Sequence, residues 1–331
     1  MRHRILGLIF ALLLTAPAVH ADGKKKIVFI AGTPSHEFGG HEHNAGCLLL
    51  GKSLRESQLA DQLDVVVLTS KKDNDGKWIS GWPADTSVLQ DAAAIVIYCD
   101  GGENHIALQH EKEIDDLARK GCGIGLIHYA VEPGEKNGRS EFLNWVGGYF
   151  ETFLSINPHW TARFTDLPDH PVTRGVYPFV TTDEWYFHMR LRPEMKGVTA
   201  ILSAIPPPKV GGSDTAHNGD AEVQHPNGPR KPEVVLWVSE NPDPDFHGER
   251  GFGCTGGHVH WNWAQDDFRK TVLNAIVWIA HVDVPADGVN SPRPSVTELL
   301  ANMDAKKRPA EKTDEWIAQQ IEKMNQPLAS K

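Results

Sequence analysis

Between His36 and His43 the chain sets three imidazoles and two carboxylates into eight residues, His36-Glu37-x3-His41-Glu42-His43. Such donors suit zinc, manganese or iron, and three protein ligands beside an open position make a catalytic metal site. The same side chains also suit hydrogen bonding to a polar substrate. The spacing is not H-E-x-x-H, which puts two histidines on one helical face, and Pro34, Gly39 and Gly40 mark this stretch as a loop. Further on, His128 closes the apolar run Ile124 to Ile127, and His258, with His260 two residues later, follows Gly251 to Gly257. Asp100 and Glu103 follow a third such run, Ala93 to Cys99. Asp183-Glu184-Trp185-Tyr186 puts a carboxylate pair beside two rings. A semi-apolar wall of that kind raises a carboxyl pKa toward general acid or base duty. Histidine and tryptophan adjoin in Asn157-Pro158-His159-Trp160 and in His258-x-His260-Trp261-Asn262-Trp263. Ring faces next to fixed hydrogen-bonding groups are what pyranose recognition requires, although at least half of the ten tryptophans are expected in the core.

These residues are far apart in sequence, so the fold must gather them. Lys26–Gly32, Leu63–Leu68, Ala93–Cys99, Ile124–Ile127 and Gly251–His258 read as short buried strands. Helical spacing follows the first of them from Asn44, and recurs over Leu108–Lys120, Ser140–Val146 and Phe268–His281. Strand alternating with helix predicts a parallel sheet with helices on both faces. Ligands bind such sheets at the carboxyl ends of the strands. His36, Asp100, His128 and His258 all follow strands, so the topology predicts that they converge. From 148 to 250 the alternation breaks down into an elaborated insertion, with short strands at 160–164, 198–205 and 234–238 and a long surface loop over 211–231. Residues 71–85 read as a loop, and 284–331 as a proline-punctuated appendage with a weak helix near 313–324.

Met1 to Ala21 carries a basic start, an apolar run over Ile5–Ala16 and the small-residue site Val19-His20-Ala21. That order predicts a secretory signal peptide, cleaved before Asp22, and a periplasmic or secreted protein with no membrane span thereafter. Without Arg2 and Arg4, 31 basic residues face 43 acidic ones. A chain this acidic has no basic footprint for nucleic acid. The partner implied is a small sugar. Cys47, Cys99, Cys122 and Cys254 include no C-x-x-C pair, which removes cysteine-based zinc and thioredoxin readings; their spacing assigns no disulfide.

The stretches Val28–Gly32, Gly123–His128, Asp169-His170-Pro171-Val172-Thr173-Arg174-Gly175, Asp183–Tyr186 and Gly251–His258 with its following helix resemble the ThuA-like (trehalose utilisation) family. This family lies within the class I glutamine amidotransferase-like group of flavodoxin-related folds. The resemblance spans about residues 24–283 and implies a flavodoxin-like parallel sheet. It also implies a role in catabolism of sugars, linked to keto-disaccharides or glycosides. Where true amidotransferases carry a nucleophilic cysteine on a strained turn, this chain has His128, so thiolate glutaminase chemistry is not available. The expected site has His128 and His258 polarising or protonating substrate oxygens and Glu184 as base. His36, Glu103, Tyr129, His159, Trp160, Trp185, Tyr186, His260 and Trp261 bind substrate. A zinc or manganese ion, if used, would sit among His36, His43, His128 and His258 and polarise the carbonyl instead. A non-catalytic sugar-binding module using the same crevice is the alternative.

Overall fold

The computed structural model describes residues 23–210, 223 and 228–328. Its centre is a seven-stranded sheet. In chain order the strands are β1 (Lys25–Ala31), β2 (Leu63–Leu68), β3 (Ala92–Tyr98), β4 (Gly123–Ile127), β5 (Val198–Ala204), β6 (Glu233–Glu240) and β7 (Arg250–Cys254). Across the sheet they run β5-β6-β7-β4-β3-β1-β2. The five from β7 to β2 are parallel, and β6 alone runs antiparallel to its neighbours. The fold is therefore α/β and flavodoxin-like, with a mixed edge. That edge is where sequence and structure part: β5 and β6, from the irregular middle of the chain, extend the main sheet rather than form an insertion beside it.

The central strands read as unbroken apolar runs because both faces are covered. Alternate residues divide between two cores. Ile27, Phe29 and Val96 pack under α1 (His43–Arg55) and α4 (Asp266–Ile279), through Leu50, Leu54, Val272 and Ile276. Val28, Ile30, Ile95, Ile97, Ile124 and Leu126 pack under α2 (Glu111–Ala118) and α3 (Arg139–Trp145), through Ile114, Leu117, Phe142 and Trp145. A two-stranded ribbon, Trp160–Phe164 with Phe179–Asp183, stands beside the sheet and carries Glu184 at its end. Residues 71–72 and 78–79 pair as a short hairpin inside the expected loop. The long loop expected over 211–231 lies mostly outside the described residues. No helix among the described residues is long and apolar enough to cross a membrane.

Residues 284–328 do not hang off the domain. Val289, Leu299 and Ile317 are buried in the first core. The segment forms α5 (Val296–Leu300), closed by a Ser295–Glu298 capping box, and α6 (Asp314–Met324), capped by Thr313. The apolar residues of this segment are too widely spaced to advertise a core face, so its docking is not apparent from periodicity.

At the amino edge of the sheet, away from the histidines, Glu249 is fully buried, and among the described residues neither of its carboxyl oxygens has a hydrogen-bond partner. Burial pushes this carboxyl well above its ordinary range, and the Arg192 charge, with the Asn241 side chain and the Ile124 N–H nearby but outside good hydrogen-bond geometry, offsets this only in part. A pKa raised by folding penalises the ionised form: the penalty is absent below about pH 4, the unfolded value, and grows as the pH rises through it. Glu249→Gln should therefore raise Tm at pH 7 and leave it unchanged near pH 4. Thermal melts at the two pH values check this, and a Gln variant less stable at pH 7 would contradict it.

Candidate active site

The carboxyl ends of β1, β3, β4 and β7 open onto one crevice. β4 stops at His128, whose φ of 58° marks a strained turn into a short 3-10 helix, His128–Val131. The loop after β1 delivers His36 and His41, also in left-handed backbone (φ 59° and 47°). The loop after β3 supplies Asp100. The loop after β7 supplies His258, turning at Gly257, whose φ of 116° a side chain would resist. Asp183 ties that loop to the ribbon: its buried carboxylate accepts the Gly257 N–H at 2.8 Å, the Val259 N–H at 3.1 Å and the Glu184 N–H at 2.9 Å.

Four side-chain atoms meet at the centre. His41 Nε2 lies 3.0 Å from His128 Nε2 and 3.0 Å from His258 Nδ1. Glu184 Oε2 lies 3.1 Å from His258 Nδ1 and 3.4 Å from His128 Nε2. The outer nitrogens fix the tautomers. His41 Nδ1 stands 2.6 Å from Asp100 Oδ1, and His128 Nδ1 stands 2.7 Å from the Thr255 carbonyl. A carboxylate and a carbonyl only accept, so both Nδ1 atoms carry a proton, and with neutral rings both Nε2 atoms present lone pairs. Two acceptors 3.0 Å apart cannot hydrogen-bond to each other. The repulsion is relieved by a donor set against those lone pairs, such as the Tyr186 hydroxyl 3.3 Å from His128 Nε2, or by a cation between the rings.

A metal ion satisfies this arrangement. Ligand atoms at zinc-like distances stand about 3.0 Å apart at a right angle and about 3.4 Å apart at the tetrahedral angle. Four of the six edges, at 3.0, 3.0, 3.1 and 3.4 Å, fall in that interval, and all four atoms lie within 4.8 Å of one another. The outer partners also match: Asp100 behind His41 and the Thr255 carbonyl behind His128 are the hydrogen-bond acceptors that orient metal-binding imidazoles. Behind His258, Glu37 Oε1 lies 3.6 Å from Nε2.

The electrostatics agree in direction. Burial, reinforced by the neighbouring imidazoles, holds His41 well below the ordinary histidine range. Burial would raise the Glu184 carboxyl, yet hydrogen bonds and charge from His128 and His258 outweigh it and hold the pKa far below. That reverses the upward shift expected for this carboxylate beside its rings. His258 is raised, because Glu184 outweighs the effect of burial.

Not every expected residue reaches the centre. His43 is buried with Nδ1 on the Thr33 carbonyl at 3.0 Å and Nε2 3.6 Å from Asp100, and burial takes its pKa down to about 4. His36 stacks on the His41 ring at 3.5 Å between centroids and sits on the rim, 4.0 Å from Asp100. Of the expected metal set His36, His43, His128 and His258, only His128 and His258 reach the centre, where His41 and Glu184 join them in a group that could hold an ion. Of the expected binding residues, Tyr186 puts its hydroxyl 3.3 Å from His128 Nε2. His159 lies exposed with Nε2 4.0 Å from Glu184 Oε1, and the Tyr129 ring stands 5.9 Å from that of His41. Glu103 is exposed, in the short 3-10 turn Gly102–Asn104 that follows Asp100.

The tryptophans that adjoin the expected site residues in sequence, Trp160, Trp185, Trp261 and Trp263, are buried, so they offer no sugar platform. Trp185 is fully buried against Phe164 and Phe268, and Trp160 donates its indole N–H to the Trp185 carbonyl at 2.8 Å. Trp261 packs on Trp316, and the buried His260 contacts the Leu299 carbonyl through Nε2 at 2.8 Å. His260 and Trp261 therefore hold the carboxyl-terminal segment rather than a ligand. All four cysteines are free and buried, and burial pushes every thiol up. None is poised as a nucleophile.

Comparison with known proteins gives one family. The model described as "Trehalose utilisation", ThuA, matches residues 49–279. That span includes His128, Glu184 and His258 and stops short of His41 and of the carboxyl-terminal segment. The crystal structure of a ThuA-like protein from Bacteroides uniformis shares 18% identity, covers 81% of this chain and 96% of its own, and superposes with a TM-score of 0.51. One from Parabacteroides merdae shares 16% identity, covers 86% and 100%, with a TM-score of 0.50. At such identities the likeness speaks for the fold alone. No curated protein matches.

Proposed function

The chain belongs to the ThuA (trehalose utilisation) family, and from that premise we propose an exported carbohydrate enzyme acting on a keto-disaccharide or glycoside. In this reading His41, His128, Glu184 and His258 hold one divalent metal ion, zinc being the ion this donor set fits best. The observation that carries it is the convergence of these four side chains, with His41 Nε2 3.0 Å from His128 Nε2 and a hydrogen-bond acceptor behind each of those two rings. Bound there, the metal supplies a Lewis acid for a substrate oxygen. The chain's own groups do the rest. Asn157 Nδ2 donates to Glu184 Oε1 at 3.3 Å, which keeps the other carboxylate oxygen turned to the centre. Tyr186, whose hydroxyl oxygen lies 3.3 Å from His128 Nε2, stands in the wall next to the reacting atoms. Burial lowers the pKa of the rim residues His36 and His159, so near pH 7 they are neutral and can take or relay a proton. Glu37, Asp100 and Glu184 ring the crevice with carboxylates, which favours a neutral sugar over a sugar phosphate.

A sugar-binding module without catalysis is less well supported, since the aromatic floor it would need lies in the core. The deciding experiment takes protein recovered from the periplasm or medium, beginning at Asp22, and measures its metal content and its turnover of keto-disaccharides and glycosides. About one divalent ion per chain and loss of turnover on chelation are expected. Metal with no turnover on any such sugar would leave the binding module; full turnover in metal-free protein would sink the metal reading.

A further inference from the structure

The carboxyl-terminal segment lies outside the family match, yet its side chains reach the loop that delivers His41. Lys306 is the central contact. Its ammonium donates to the Gly40 carbonyl at 2.6 Å and pairs with Glu42 Oε1 at 3.2 Å, so it grips the backbone on one side of His41 and the side chain on the other. Glu42 is fully buried and has further partners: Oε1 accepts the Gly39 N–H at 3.1 Å, and Oε2 accepts the Asp304 N–H at 2.8 Å. Lys312 Nζ donates to the Phe38 carbonyl at 3.2 Å, and the Arg308 guanidinium lies over the Phe38 ring. From the other side the loop meets the 258–260 segment, where His41 N–H donates to the His258 carbonyl at 3.2 Å and His260 N–H to the Gly39 carbonyl at 2.9 Å. A histidine in left-handed backbone persists only where its surroundings over-determine it. The carboxyl-terminal segment supplies half of those surroundings.

We propose that Lys306 is a positioning residue for the metal centre: by holding Gly40 and Glu42 it fixes the turn that aims the His41 imidazole at His128 and His258. The proposal rests on the metal reading above. The carboxyl-terminal segment is then part of the site's construction, and a chain cut before Asp304 would keep three of the four ligands in place and lose the aim of the fourth.

The test uses the full chain in three variants. Lys306→Met removes the ammonium and keeps the bulk, Lys306→Arg restores a cation, and Ile321→Ala loosens α6 near its other end, where Met324 and Asn325 meet Gln265 and Asp266. Zinc affinity is read by competition with a chromophoric chelator, and stability by melting the metal-free protein. Lys306→Met should lose roughly 10–100-fold in zinc affinity, the size typical of groups that orient a ligand. Arg should recover most of that, and Ile321→Ala should lower Tm with affinity unchanged. An affinity for Lys306→Met within about twofold of wild type, or an equal loss in Ile321→Ala, would overturn the proposal. A wild-type protein that binds no zinc would instead count against the metal reading. Imidazole nitrogen NMR on metal-free protein then decides separately: His41 should show one tautomer in wild type and exchange between two in Lys306→Met, and an unchanged spectrum overturns the proposal.

Discussion

Replacing His41 by alanine is expected to reduce zinc affinity by at least about 100-fold while the fold survives; orienting groups alone are worth 10–100-fold, and a direct ligand more. His41 Nε2 is the atom that touches both other imidazoles, so removing it opens the centre on one side. The collateral damage is small: Asp100, its partner, is about one-third exposed and regains water. His43→Ala is the matched control. It takes an equally buried imidazole two residues on, at the start of α1, but one whose nitrogens face the Thr33 carbonyl and Asp100. Its affinity should stay within a few-fold of wild type, because no ligand is lost. Chelator competition on the two variants reads the difference. Equal losses, or none in His41→Ala, would show that the four-atom cluster is not the binding site.

That contrast also marks how far the sequence carried the site. The crevice was legible, since parallel strands carry polar residues to one edge and His128 and His258 each follow an apolar run. Their rings stand 5.3 Å apart. Which histidine of His36, His41 and His43 enters the crevice was not legible, because that depends on a left-handed turn at His41 held from 260 residues downstream by Lys306 and Asp304. The tryptophans misled for a different reason. Trp160 and Trp185 adjoin His159 and Glu184 in sequence, but in a strand or a tight turn adjacent side chains face opposite ways, so the histidine or carboxylate looks toward the crevice and the ring into the core.

Asp183→Ala should be the most damaging single change outside the metal ligands, with a stability loss of roughly 3–5 kcal/mol. Its carboxylate is fully buried and accepts three backbone N–H groups, from Glu184, Gly257 and Val259. Alanine leaves all three donors in a dry interior, each at a cost of about 1–3 kcal/mol. Removing a buried charge returns some desolvation energy, which keeps the net loss below the sum. For a domain of this size the expected fall in Tm is roughly 6–15 °C. Asp183→Asn separates acceptor from charge: one oxygen still serves two of the donors, while the new amide points a donor at the third. It should lose less stability than alanine but still shift the turn at Gly257, and with it His258 Nδ1 relative to Glu184 Oε2, now 3.1 Å apart. Weakened zinc binding in the asparagine variant at a modest fall in Tm is therefore expected. An alanine variant melting within about 2 °C of wild type would mean that water reaches these N–H groups, and that Asp183 does not hold the ribbon and the His258 loop together.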